Sequence, residues 1–112
     1  MIEKILTLST GFITKEDAAV LQDVAGTPSA PFGLLDYSDG FIFQLPEDAG
    51  IFSEEMHRLP AEKCYALRRL LARVWNAGIY WLRLDADGPG KEGDPLCAEA
   101  EAIVRGLPIF HW

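Results

Sequence analysis

A chain of 112 residues with 49% hydrophobic, 24% charged and 11% aromatic side chains has the make-up of a globular domain, which excludes a disordered or low-complexity chain. Its net charge of −7 is unevenly laid out: Met56 to Leu84 holds six basic residues and one acid, a local +5, which leaves −12 for the remainder. An acidic body with one basic stretch argues against direct nucleic-acid binding and offers two surfaces of opposite sign for steering partners.

No apolar run approaches the roughly 20 residues of a membrane helix, and Met1-Ile2-Glu3-Lys4 lacks the basic and apolar regions of a signal peptide. The expectation is a cytoplasmic protein without membrane contact. Cys64 and Cys97 are far apart and outside any C-x-x-C pair, so they read as reduced thiols.

In chain order, Ile2 to Leu8 is β-branched and partly alternating, the pattern of a strand. Thr14-Lys15-Glu16-Asp17 resembles a capping box, with Asp17 replacing the usual Glu or Gln, and opens a helix to about Val24 that turns Ala18 and Leu21 inward. After the loop from Gly26 to Pro31, Phe32 to Tyr37 and Phe41 to Leu45 flank Ser38-Asp39-Gly40 as a hairpin, with Phe41 and Phe43 on one face. Pro46 to Gly50 closes that strand, and Ser53 to Leu59 reads as a short helical turn or ordered loop.

Pro60 suits the first position of a long helix through about Ala77, stopped by Gly78, with Cys64, Leu67, Leu71, Val74 and Trp75 on its apolar face. Ile79 to Leu84 is strand-like, and Asp85 to Gly90 ends it because Gly and Pro interrupt a ladder. Leu96 to Arg105 reads as a short helix stopped by Gly106, and Leu107 to Trp112 as a last edge strand. The succession points to a single α+β domain over residues 1–112, of the ferredoxin-like split β-α-β arrangement with an appended short helix and terminal strand. That fold hosts many unrelated activities, so function rests on particular residues.

Asp85-Ala86-Asp87-Gly88 opens like a calcium loop, but Pro89 and Leu96 fall where ligands are required, which favours a solvated turn. His57 and His111 have no partners placed beside them, and no flanking motif joins either histidine to Cys64 or Cys97 as a nucleophile pair. Ser9-Thr10-Gly11 lacks the frame of a nucleophile elbow or a phosphate cradle and reads as turn chemistry. Glu54-Glu55 and Glu99-x-Glu101 read as solvated faces. Trp75, Tyr80 and Trp81 are expected to fill core or rim space, with Phe110 and Trp112 either pinned to the sheet or exposed as an anchor. No catalytic residue, metal site or cofactor is nominated.

Two stretches carry a resemblance: Leu6-Thr7-Leu8-Ser9-Thr10-Gly11-Phe12-Ile13-Thr14 at the start, and Trp81 to Pro89 with Leu107-Pro108-Ile109-Phe110-His111-Trp112 at the end. They resemble a family of small uncharacterised proteins of bacterial plasmids and integrative elements, with an L-S-T-x-x-I-T start and a W-L-x-x-D-x-D-G-P and L-P-x-F-x-W finish. This chain departs in Gly11-Phe12, where a polar residue or histidine is common, and in the stretch Lys91 to Gly106 before the ending. The resemblance implies a mobile-element setting and transfers no catalytic residues; by analogy, small acidic proteins of such elements are often inhibitors of host defence.

The leading expectation is a non-enzymatic acidic interaction protein that binds a host protein or nucleoprotein complex, as an anti-CRISPR or anti-restriction type of inhibitor. Its contacts would be Glu47, Asp48, Glu54 and Glu55, with Arg68, Arg69 and Arg73 as the alternative surface and Trp112 as an aromatic anchor. The alternative is a small-molecule enzyme or ligand-binding domain with a site near Asp85, Asp87 and His111. A third reading is a self-associating or antitoxin-like module.

Overall fold

The computed structural model of the chain describes residues 5–60, 62–90 and 96–110. Along it run β1 (Ile5–Ser9), α1 (Lys15–Val24), β2 (Leu35–Tyr37), β3 (Gly40–Gln44), α2 (Ala49–Met56), α3 (Tyr65–Asn76), β4 (Trp81–Asp85) and α4 (Ala98–Val104), with 3-10 turns at Thr10–Phe12 and Pro31–Gly33. The class is α+β, as the sequence predicts. None of the described helices is long and apolar enough to cross a membrane.

The four strands form one mixed sheet in the order β1-β4-β3-β2. β4 is the centre of the arrangement, parallel to β1 and antiparallel to β3. A ferredoxin-like sheet places its first strand inside; here β1 lies at an edge, so the split arrangement is realised with a different strand order. Strand alternation sends Leu6, Leu8, Phe41, Phe43, Leu82 and Leu84 to one face, where they join Leu21 of α1 and Leu67, Leu71 and Val74 of α3 in the core. The other face carries the row Thr7, Arg83, Ile42 and Leu35, and Ile5 and Leu35 at the two edges are 65% and 60% exposed.

Local chemistry explains the element ends. Thr14 Oγ1 accepts from the Asp17 N–H at 3.0 Å while the Asp17 carboxylate accepts from the Thr14 N–H at 2.7 Å, so the shorter acid closes the capping box after all. α3 stops at a Schellman turn: Gly78 has φ +78°, its N–H reaches Trp75 O, and the Ile79 N–H reaches Val74 O.

Other expectations shift as well. The long helix starts at Tyr65 rather than Pro60, because the Lys63 and Cys64 amides both return to the Pro60 carbonyl in a separate turn and Cys64 has ψ 32°. Phe32 is not in a strand: it sits in a 3-10 turn at φ 57°, a left-handed conformation that disfavours a side chain by about 1–2 kcal/mol. Burial of its ring, a tilted contact with the Phe52 ring at 5.4 Å and an amide hydrogen bond to Glu55 Oε2 hold it there. The expected last strand is not formed over residues 107–110; Pro108 has no donor, and the segment is tied instead by the Phe110 N–H to Gly11 O at 2.7 Å. His111 and Trp112 lie outside the described residues.

Candidate functional site

α2 gathers the acids that the sequence nominates. Asp48 is its N-cap, with Oδ1 accepting from the Ile51 N–H at 3.0 Å. Residues three and four apart on a helix are neighbours, so Ile51 stands beside Asp48 behind it and Glu54 and Glu55 ahead of it, with Glu47 just before the cap. Ile51 is 50% exposed, an apolar knob among carboxylates, and it lines a shallow pocket of about 220 Å³ with Glu55, Phe32 and Gln44. Glu55 also holds the Phe32 amide and pairs with Arg58 at 3.5 Å. The exposed members of the set are therefore Glu47, Asp48 and Glu54, with Asp48 already engaged as a cap.

The sequence points to a short helical turn or ordered loop only over Ser53 to Leu59, whereas α2 starts at Ala49 and so takes in Ile51. The signal was present in the spacing: Asp48 begins a run whose cap and acids are all three or four positions from Ile51. In the same helix, Phe52 stacks on Trp75 at 4.7 Å, and Trp75 Nε1 donates to Pro46 O at 2.7 Å, so the helix that carries Ile51 is anchored.

The arginines divide. Arg73 donates from Nη1 to the carbonyls of Ile103 and Arg105 at 3.1 and 2.7 Å, capping the end of α4, which makes it a structural tie. Arg69 is exposed and lies over the Tyr65 ring at 5.8 Å, while Arg68 is half-buried on the same helix.

Asp85 and Asp87 do come together, in the turn after β4. Asp85 Oδ1 accepts from the Asp87 N–H at 2.8 Å and its carbonyl from the Gly88 N–H, while its Oδ2 accepts from the Tyr37 hydroxyl at 2.6 Å. Pro89 O then accepts from the Ser9 N–H, and Gly88 lies against the Leu8 carbonyl so closely that a Cβ would overlap it. The D-x-D-G-P stretch thus works as a clasp between β4, β1 and the hairpin. Among the described residues no group of three His, Cys, Asp or Glu side chains is placed to hold a metal ion.

Asp17 and Cys64 form a buried pair. Burial raises the Asp17 carboxyl above its ordinary range against the opposing hydrogen bonds from Thr14, and burial followed by the Asp17 charge pushes the Cys64 thiol up to about 11. Asp17 Oδ1 has no partner of ordinary hydrogen-bond geometry; the Cys64 thiol and the Leu67 amide in the first turn of α3 face the carboxylate. Cys97 is exposed.

A cleft of about 600 Å³ lies between α1, the β2–β3 hairpin and residues 109–110. Ala86, Tyr37 and Gly11 reach it, so it adjoins the Asp85 clasp without being lined by Asp85 or Asp87.

No curated protein and no solved structure is significantly similar to the chain. The profile of the C-terminal domain of a family of unknown function, DUF5983, matches residues 5–112, and the chain therefore belongs to that family.

Proposed function

We propose that the domain acts by binding a protein or nucleoprotein partner through the exposed side of α2, without catalysing a reaction. The observation that supports this reading is Ile51, half exposed on a helix anchored by the Phe52–Trp75 stack and bordered by Asp48, Glu54, Glu55 and Glu47. An aliphatic side chain rimmed by charge has the make-up of a contact hot spot, in which the apolar centre is desolvated and the rim selects the partner's sign. The complementary surface is a shallow apolar pocket bordered by lysine or arginine. In its most specific form, this is a mobile-element protein whose carboxylates occupy the cationic nucleic-acid channel of a host defence complex, of the anti-CRISPR or anti-restriction type. The net charge of −7 supports that form, since the summed field steers toward cationic partners.

Affinity capture from bacterial lysate, compared between the wild-type chain, Glu47→Lys with Glu54→Lys, Ile51→Ser and Arg69→Glu, tests it. A partner recovered by the wild type and by Arg69→Glu, and lost with the other two, is expected, with recovery falling as salt rises. Loss only with Arg69→Glu would transfer the contact to the basic face of α3 and overturn the reading.

A further inference from the structure

We propose that the cleft between α1, the β2–β3 hairpin and residues 109–110 binds a small organic cation, an ammonium or guanidinium group on an apolar stem. Its volume of about 600 Å³ is that of a small-molecule site. The floor is apolar: Ala18 and Phe41 are 3% and 4% exposed, and Ile109 and Phe110 stand as a wall. The polar groups lie at the rim, where Asp36, Asp39 and Gln22 are exposed. Among the described lining residues the two aspartates are the charged side chains, and no cation offsets them.

The strand register explains why Asp36 serves this cleft. Asp36 pairs with Phe41 and so lies on the helix side of the sheet, above the same floor. Asp39 comes from the hairpin turn, where its carbonyl accepts from the Ala86 N–H at 2.7 Å and fixes the loop. The opposite wall is held by the Phe110 N–H to Gly11 O bond, and Gly11 keeps it close because a Cβ there would approach Ile109 and Ser9 Oγ to 3.2 Å. Segments distant in sequence thus build a concavity with an apolar floor and a negative mouth. An anion would be repelled by two carboxylates, and a neutral apolar molecule would leave them without a counter-charge. A cation with an apolar stem satisfies both parts. The concave shape, walled by helix, hairpin and terminal segment, suits a free small molecule. This site is separate from the α2 surface, and neither depends on the other.

The test is calorimetric titration of the full chain with 2-phenylethylamine, against 2-phenylethanol and 3-phenylpropionate as neutral and anionic counterparts. Saturable binding of the amine is expected, with affinity at least about tenfold above the alcohol and none for the carboxylate. Asp36→Asn with Asp39→Asn should lower amine affinity at least about tenfold, and Gln22→Trp, on an exposed position of α1 at the rim, should abolish binding while leaving the core untouched. Glu47→Gln with Glu54→Gln should leave it unchanged. Lack of saturation up to about 10 mM amine, equal binding of the three compounds, or unchanged affinity in Gln22→Trp would overturn the proposal. Equal loss in the Glu47 and Glu54 variant would also overturn it, by reducing the binding to general surface charge.

Discussion

The Tyr37 hydroxyl donates to Asp85 Oδ2 at 2.6 Å, reaching past Gly40, which is paired with both residues in the sheet. That one side-chain bond ties β2 to β4 across β3. Gly40 is required in between: a Cβ at this position would overlap the Leu84 carbonyl.

Tyr37→Phe should lower stability by about 1 kcal/mol, read by urea denaturation near neutral pH. Burial first, then the hydrogen bond to Asp85 and its charge, raise the Tyr37 phenol from 10.0 to about 12. The folded chain therefore keeps a proton that the unfolded chain loses, so this contribution is complete below pH 10.0 and is lost as pH rises toward about 12. The alkaline slope should be shallower in Tyr37→Phe than in the wild type; identical slopes would show that the phenol has the same affinity for its proton in both states.

Gly40→Ala should cost about 3 kcal/mol, since the added methyl meets backbone rather than a side chain that can turn away. Gly78→Ala serves as the comparison, with open space around it and only the positive φ of 78° to pay for, about 1 kcal/mol. Thermal melts of the two variants should rank in that order.

Leu71→Ala should cost about 2–5 kcal/mol, because Leu71 is fully buried between α3 and the sheet. A loss below about 0.5 kcal/mol in chemical denaturation would mean that the site closes up around the smaller side chain.

On α2, Glu47→Lys and Glu54→Lys should each change stability by no more than about 0.5 kcal/mol, as both are exposed. Asp48→Lys should cost about 1 kcal/mol through the lost cap on Ile51. Denaturation curves that separate Asp48 from the other two would confirm that binding assays are best read on Glu47 and Glu54.

A thiol reagent should modify Cys97 quickly in the folded chain and Cys64 only on unfolding, because Cys64 is fully buried and its pKa is raised from 9.0 to about 11. Mass spectrometry after timed labelling gives the two rates. Equal rates would require opening at the Asp17–Cys64 contact under native conditions. The same raised pKa adds to the alkaline loss of stability, over the range from 9.0 to about 11, and Cys64→Ala should remove that part.

What the sequence determined by itself was the set of features that act over a few residues. The spacing of Leu67, Leu71 and Val74 fixes the inward face of α3, Thr14 and Asp17 close a cap three positions apart, and the alternation of Phe41 and Phe43 orients β3. Each follows from backbone geometry and nearest-neighbour chemistry, so it is legible without knowing what lies opposite. The tertiary structure decided which distant groups meet. Arg73 looks like a free cation in sequence until α4 brings two carbonyls to it, and Phe32 looks like a strand residue until Glu55 and Phe52 hold it in a left-handed turn. The Asp85 clasp and the cleft beside it depend on β4 lying between β1 and β3, a choice among strand orders that the same alternation would satisfy equally well. Only the packing of helices on one face, and the burial it secures, selects among them.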